Sequence, residues 1–200
     1  VNLVEERIDL AIRITNDLDP NLIARRLGEC DSVVCASPAY VAAHGQPLRP
    51  ADLALHRCLT YAYFSRSLWE FTDAKGEPLS VPVGGALSAN ESQVLLAAAV
   101  EGTGISMQPA YAAAPLLASG ALVQLLPGFR AQSLGIHAIF ATRRQMTPVL
   151  RAMVDALAAH FADSAHWPPR LGAVPAAAGR TPRPARGGRS AVAAPSGLKG

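Results

Sequence analysis

Between residues 84 and 161 short β-prone runs alternate with helix-prone runs, and this alternation constrains the fold more than any other feature of the sequence. Residues 84–89 read as a strand that runs directly into Asn90-Glu91-Ser92. Asn90 is a good N-cap, and ESQVLLAAAVEG predicts a helix stopped by Gly102. A strand over 104–108, a helix over 109–117 opened by Pro109, and strands over 122–126 and 136–141 follow. The last helix opens at Thr147-Pro148 and places Leu150, Met153, Val154, Leu157 and Phe161 on one face, the spacing of a helix packed on a sheet. Strand–helix alternation of this kind predicts an α/β fold with largely parallel sheets.

The first 83 residues are less regular. Ile8, Leu10, Ile12 and Ile14 recur at period two, which predicts a strand with Asp9, Ala11 and Arg13 on its other face. A second strand is expected over 22–27, after the turn-like NDLDPN, and a third over 32–36, where SVVCA ends ahead of Pro38. PAYVAAH reads as a short helix stopped by Gly45, and 50–56 as another. A strand over 58–63 and a small hairpin over 69–71 and 79–83, turning at AKGE, complete this part.

The charge is unevenly distributed. Residues 165–200 carry six basic side chains and no acidic one, which leaves twelve basic against fifteen acidic over 1–164. A basic folded surface for nucleic acid is therefore not expected. The segment after residue 163 is rich in Pro, Gly, Ala and Arg with little to bury, so a disordered basic tail is predicted. No run approaches the length of a membrane-spanning helix, and VNLVEERIDL has neither a basic start nor a cleavage site, so no membrane association and no signal peptide are expected. Three cysteines do not make a disulfide framework, and a reduced, cytoplasmic setting is expected.

Catalytic signatures are mostly missing. The sequence holds no G-x-S-x-G elbow, no phosphate loop and no G-x-G-x-x-G after a strand; Gly102-Thr103-Gly104 follows a helix and reads as a helix stop. Cys30, Cys35 and Cys58 lack the spacing of a metal site, and Cys35 reads as a buried structural thiol. The five histidines lie on unrelated elements, His137 on a strand as a core or hinge residue. No catalytic residue, metal ligand or cofactor is therefore assigned. The turn at Asn90 admits two readings: ordinary capping, or an anion site at a helix start where Asn90 and Ser92 add side-chain hydrogen bonders.

Several segments, in order, resemble the effector-binding portion of LysR-type transcriptional regulators: VNLVEERIDLAIRI, LIARRLGECDSVVCASPAYVAAHGQPLRPADLALHRCL, the later Trp69-Glu70-Phe71, VPVGGALSANESQVLLAAAVEGTGISMQP, LASGALVQLLPGF and IHAIFATRRQMTPVLRAMVDALAAHF. The resemblance covers almost all of residues 1–162. It implies two Rossmann-like α/β subdomains of the type 2 periplasmic-binding-protein architecture, joined by two crossovers with a ligand cleft between them. Residues 1–37 and 136–162 would form the first subdomain, here without its opening strand–helix–strand and so incomplete, and 38–135 the second. The hinges would lie at Ser37-Pro38 and Gly135-Ile136.

By the same resemblance, effector contacts would come from Arg13, Ile14 and Thr15 at a strand end, Asn90, Glu91 and Ser92 at a helix start, and Gln108 and Pro109 at a strand-to-helix turn. A small organic acid suits that helix start and the Arg13 cation, although Glu91 would oppose an anion if it faced inward. The implied function is non-enzymatic sensing of a small-molecule effector to control transcription. DNA contact would require a helix-turn-helix not found in this sequence, and the intact protein would be a homo-oligomer. A solute-binding protein of a transport system shares the architecture and is the alternative.

Overall fold

The computed structural model describes residues 8–62, 68–140 and 147–162; the expectations for VNLVEER, Tyr63, Ala141 and the tail lie outside these. A long strand organises the rest. β2 runs over Ile23–Ala36 as fourteen consecutive residues, where the sequence predicts two strands with a break between them. No break forms because the intervening residues stay extended in a ladder, with Glu29, Cys30 and Asp31 opposite Gly135, Leu134 and Ser133.

The N-terminal part of β2 pairs antiparallel with β10 (Ser133–Phe140), which pairs antiparallel with the edge strand β1 (Ala11–Ile14). From Ser32 onward β2 changes partner and runs antiparallel to β7 (Ile105–Pro109). Beyond β7 lie β3 (Cys58–Tyr61) and β6 (Gly85–Ala89), both parallel to it, so that the path is β1-β10-β2-β7-β3-β6. The short β8 (Val123–Gln124) caps β2, and a separate small sheet holds β5 (Pro78–Pro82), β4 (Leu68–Thr72) and β9 (Arg130–Ala131). The expected hairpin is β4–β5, turning where Asp73 accepts the Lys75 and Glu77 N–H groups.

Pairing is mostly antiparallel, which corrects the expectation of largely parallel sheets. Among the described strands only the two pairs that β3 makes, with β6 and with β7, are parallel; parallel strands need a crossover, and the β6–β7 connection through α2 (Ser92–Val100) supplies one.

Three apolar clusters form the core, two in the half around β7 and one in the half around β10. β2 alternates, sending Val34 toward Tyr40, Leu53, Phe71 and Ile105, and Val33 and Cys35 toward Leu59, Leu95, Leu96 and Leu122. Tyr40 belongs to α1 (Pro38–His44), capped by the Ser37 hydroxyl; α3 (Ala110–Ala118) joins α2 on the second cluster. The third cluster sets Leu27, Cys30, Ile136 and Ala138 against Leu150, Val154, Leu157 and Phe161 of α4 (Pro148–Ala162). Met153, expected on that buried face, is 55% exposed, because the packed stripe is narrower than the apolar one.

Gly104 has no freedom to be another residue: a Cβ there would lie 2.3 Å from the Arg57 carbonyl oxygen. Gly102, at φ +75°, ends α2 as expected, its N–H and that of Thr103 donating to the Ala99 and Ala98 carbonyls.

Candidate functional site

The two passages of the chain between the halves touch one another. Outbound, β2 changes partner between Asp31 and Ser32; inbound, the chain leaves β9 at Ala131 and enters β10 at Ser133. The Ser32 N–H donates to the Gln132 carbonyl at 3.2 Å, and the Gln132 N–H to the Glu70 carbonyl at 2.9 Å. The change of partner thus falls five residues before the expected Ser37-Pro38 hinge, where Ser37 instead caps α1. Gly135 and Ile136 lie inside β10, paired with Glu29 and Gly28.

A crevice of about 190 Å³ opens at this seam, with Ser32 and Gln132 in its lining. Ile14, Cys30 and Leu134 form a wall from the first half. Leu59, Tyr61 and Ser92 come from the second half, and Met107, Gln108 and Pro109 from β7. Trp69 and Tyr111 complete the lining.

Of the residues anticipated from the sequence, Ile14, Ser92, Gln108 and Pro109 line the crevice, whereas Arg13, Thr15, Asn90 and Glu91 do not. Strand alternation explains Arg13: Ile14 reaches the lining, so its neighbour on β1 takes the opposite face. The Thr15 hydroxyl donates to the Asp17 carbonyl at 3.1 Å and accepts the Asp17 N–H at 3.0 Å, a local turn. Asn90 is not the N-cap of α2, since Ser92 is the first helical residue and Glu91 holds the cap position without a side-chain hydrogen bond.

One polar chain runs through the site. The Ser92 hydroxyl donates to Gln108 Oε1 at 2.7 Å, and Gln108 Nε2 donates to Ser106 Oγ at 2.6 Å. Gln108 and Ser106 are 1% and 0% exposed, so the pair is an internal brace. Ser92 opens α2, whose leading N–H groups have no partner within the helix. The opposite wall is braced by Asn16, which sequence reasoning missed. Its Nδ2 donates to the Ser133 carbonyl and its Oδ1 accepts the Gly135 N–H, both at 2.9 Å, tying the end of β1 to β10. An Asn after a strand carries no sequence signal for such a long-range clamp.

Among the described residues, the lining holds no Asp, Glu, Lys, Arg or His. Burial pushes the Cys30 thiol up to about 11, helped by Asp31, and raises the Tyr111 phenol, helped by Cys30. Both stay protonated at neutral pH, and two tyrosines and a tryptophan edge the crevice. Among the described residues no cluster of three metal-ligating side chains occurs.

A crevice fed by two α/β halves through paired crossovers is the layout of a type 2 periplasmic-binding-like sensor. The sequence profile of the LysR substrate binding domain matches residues 1–162. The chain is 34% identical over 170 residues to the HTH-type transcriptional regulator DmlR of Escherichia coli K12, covering 84% of this chain and 54% of DmlR. It is 35% identical over 161 residues to the HTH-type transcriptional activator TtdR of the same strain, covering 80% and 51%. Its structure is similar to the regulatory domain of CrgA, a LysR-type regulator from Neisseria meningitidis, at 28% identity and a TM-score of 0.67, covering 80% of this chain and 79% of that one.

The chain belongs to the LysR-type transcriptional regulators and carries their effector-binding domain. It spans about half the length of the curated relatives it matches, which are transcriptional regulators, not transport solute-binding proteins.

Proposed function

We propose that this chain senses a small organic acid in the seam crevice, by binding and not by turnover, and without a cofactor. The observation that carries the reading is the origin of the walls: residues from both halves meet beside the hydrogen-bonded crossovers Ser32 and Gln132. A ligand touching both walls favours the relative orientation of the halves that it bridges. The volume, about 190 Å³, is below the range of roughly 300–1,000 Å³ typical of drug-sized ligands, which favours a small metabolite. The leading N–H groups of α2 favour an anionic end, and Leu59, Met107 and Trp69 offer apolar contact.

In the whole protein, working in the cytoplasm as a homo-oligomer, the orientation change would reach a DNA-binding portion outside this sequence. A thermal-shift screen of small carboxylic acids against the full chain tests the reading. At least one acid is expected to raise the Tm, with loss of that rise on Ser92→Ala. A uniformly flat screen would contradict it.

A further inference from the structure

The crossovers bring side chains as well as backbone to the crevice. The Ser32 and Gln132 backbones are hydrogen-bonded to one another, but their side chains, both partly buried, line the crevice and bond to no other described residue. Trp69 joins them. It stands on β4 next to Glu70, whose carbonyl accepts the Gln132 N–H, and opposite Val81 on β5. It is 6% exposed and packs in the core cluster with Val34, Leu53 and Phe71, which fixes its ring. Its indole N–H donates to no described residue. Among the described residues no fully buried side-chain polar atom lacks a partner, so that N–H keeps an opening. The opening that Trp69 borders is the crevice.

An indole N–H can only donate, whichever way the neighbouring groups are turned, and the Ser32 hydroxyl and the Gln132 amide each bring further protons. Hydrocarbon pressed against these groups would strip their water and return no hydrogen bond, whereas an oxygen acceptor satisfies them. We infer that Trp69, Ser32 and Gln132 form a polar subsite on the crossovers themselves, apart from the start of α2. It takes a neutral oxygen of the ligand, so that the crevice selects an oxo acid over a plain carboxylic acid. A second carboxylate fits less well, because neutral donors offset only part of the desolvation of a charge. The inference rests on the acid-sensing reading above. It places the ligand on Ser32 and Gln132, where the two passages of the chain meet, and so links binding to the orientation of the halves.

The test measures the affinities of pentanoate, 2-oxopentanoate, 4-oxopentanoate and glutarate for the full chain by calorimetry. One oxo acid is expected to bind roughly three- to tenfold more tightly than pentanoate, the worth of one neutral hydrogen bond. That ratio should fall to about one in Trp69→Phe, which keeps an aromatic ring and loses the N–H, and should shrink in Gln132→Leu. The indole N–H resonance of the ¹⁵N-labelled chain is the second readout. The sequence has two tryptophans, Trp69 and Trp167, so Trp167→Phe assigns the Trp69 signal. The preferred oxo acid should move that signal downfield, and pentanoate should move it less. If Trp69→Phe does not fold, the resonance decides alone. Equal binding of pentanoate and both oxo acids, an oxo preference that survives Trp69→Phe, an indole signal unmoved by a bound oxo acid, or tightest binding of glutarate would overturn the inference while leaving an acid sensor in place. No binding by any of the four would count against the acid-sensing reading itself and remove this inference with it.

Discussion

The two halves of the molecule are built to different standards of burial. The half around β3 and β7 covers both faces of its sheet, with Leu53 and Ile105 sealed on one side and Leu95 and Ala99 on the other. The half made of β1, β10 and the first part of β2 packs on α4 and leaves Ile12 and Ile14 at its edge 44% and 36% exposed. The first half is therefore the lighter wall, continuous with the second through β2, and the Asn16 clamp braces its own β1 against β10.

Core truncation should give the largest contrast. Leu53→Ala empties a fully buried site and is expected to cost about 2–5 kcal/mol by chemical denaturation. Ile12→Ala, at the exposed edge, should cost less than about 1 kcal/mol. Equal costs would break the comparison.

A backbone contrast comes next. Gly104→Ala forces a methyl against the Arg57 carbonyl and should cost about 1–3 kcal/mol. At Gly28, on β2 in the first half, a Cβ meets Phe161 at an ordinary 3.7 Å, so Gly28→Ala should be neutral or stabilising by about 0.5 kcal/mol.

The thiols sharpen the contrast with pH. Burial pushes Cys35 and Cys58 up to about 12, from an ordinary value of 9.0. The folded protein favours the protonated thiol, so this contribution to stability is complete below pH 9.0 and is lost as pH climbs toward about 12. Urea midpoints should therefore fall above pH 9.0, and fall less steeply in Cys35→Ala. The smallest effect is expected at the ion pair between Arg25 and Asp155, whose side chains are 46% and 59% exposed; Arg25→Ala should change stability by less than about 1 kcal/mol, an effect that salt reduces further.

Much of this was legible in the sequence, because local rules decide it. The SVVCA run buried on both faces, the Gly102 stop and the 150/154/157/161 stripe of α4 all formed as their spacing dictates, whereas the period-two run from Ile8 formed a strand only over Ala11–Ile14, with Ile12 and Ile14 its more exposed residues because β1 is the sheet edge. The merged β2 was not legible, since Gly28-Glu29 is held extended by β10, more than a hundred residues away in sequence. The site divided on the same line. Ser92 was readable as a helix-start residue and Gln108 only through the family resemblance, but the Asn16 clamp and the seam residues Ser32 and Gln132 depend on long-range pairing. Arg13 shows the converse, being well placed in sequence and turned by alternation to the face opposite Ile14.

The central claim is that the crevice joins two walls that respond together. Hydrogen–deuterium exchange of the full chain, with and without a stabilising acid from the thermal-shift screen, tests it most directly. The account predicts added protection at once around Ile14–Asn16 on the first half and at the start of α2 and the Gln108–Tyr111 turn on the second. Protection confined to one half, or appearing only away from the seam, would contradict it.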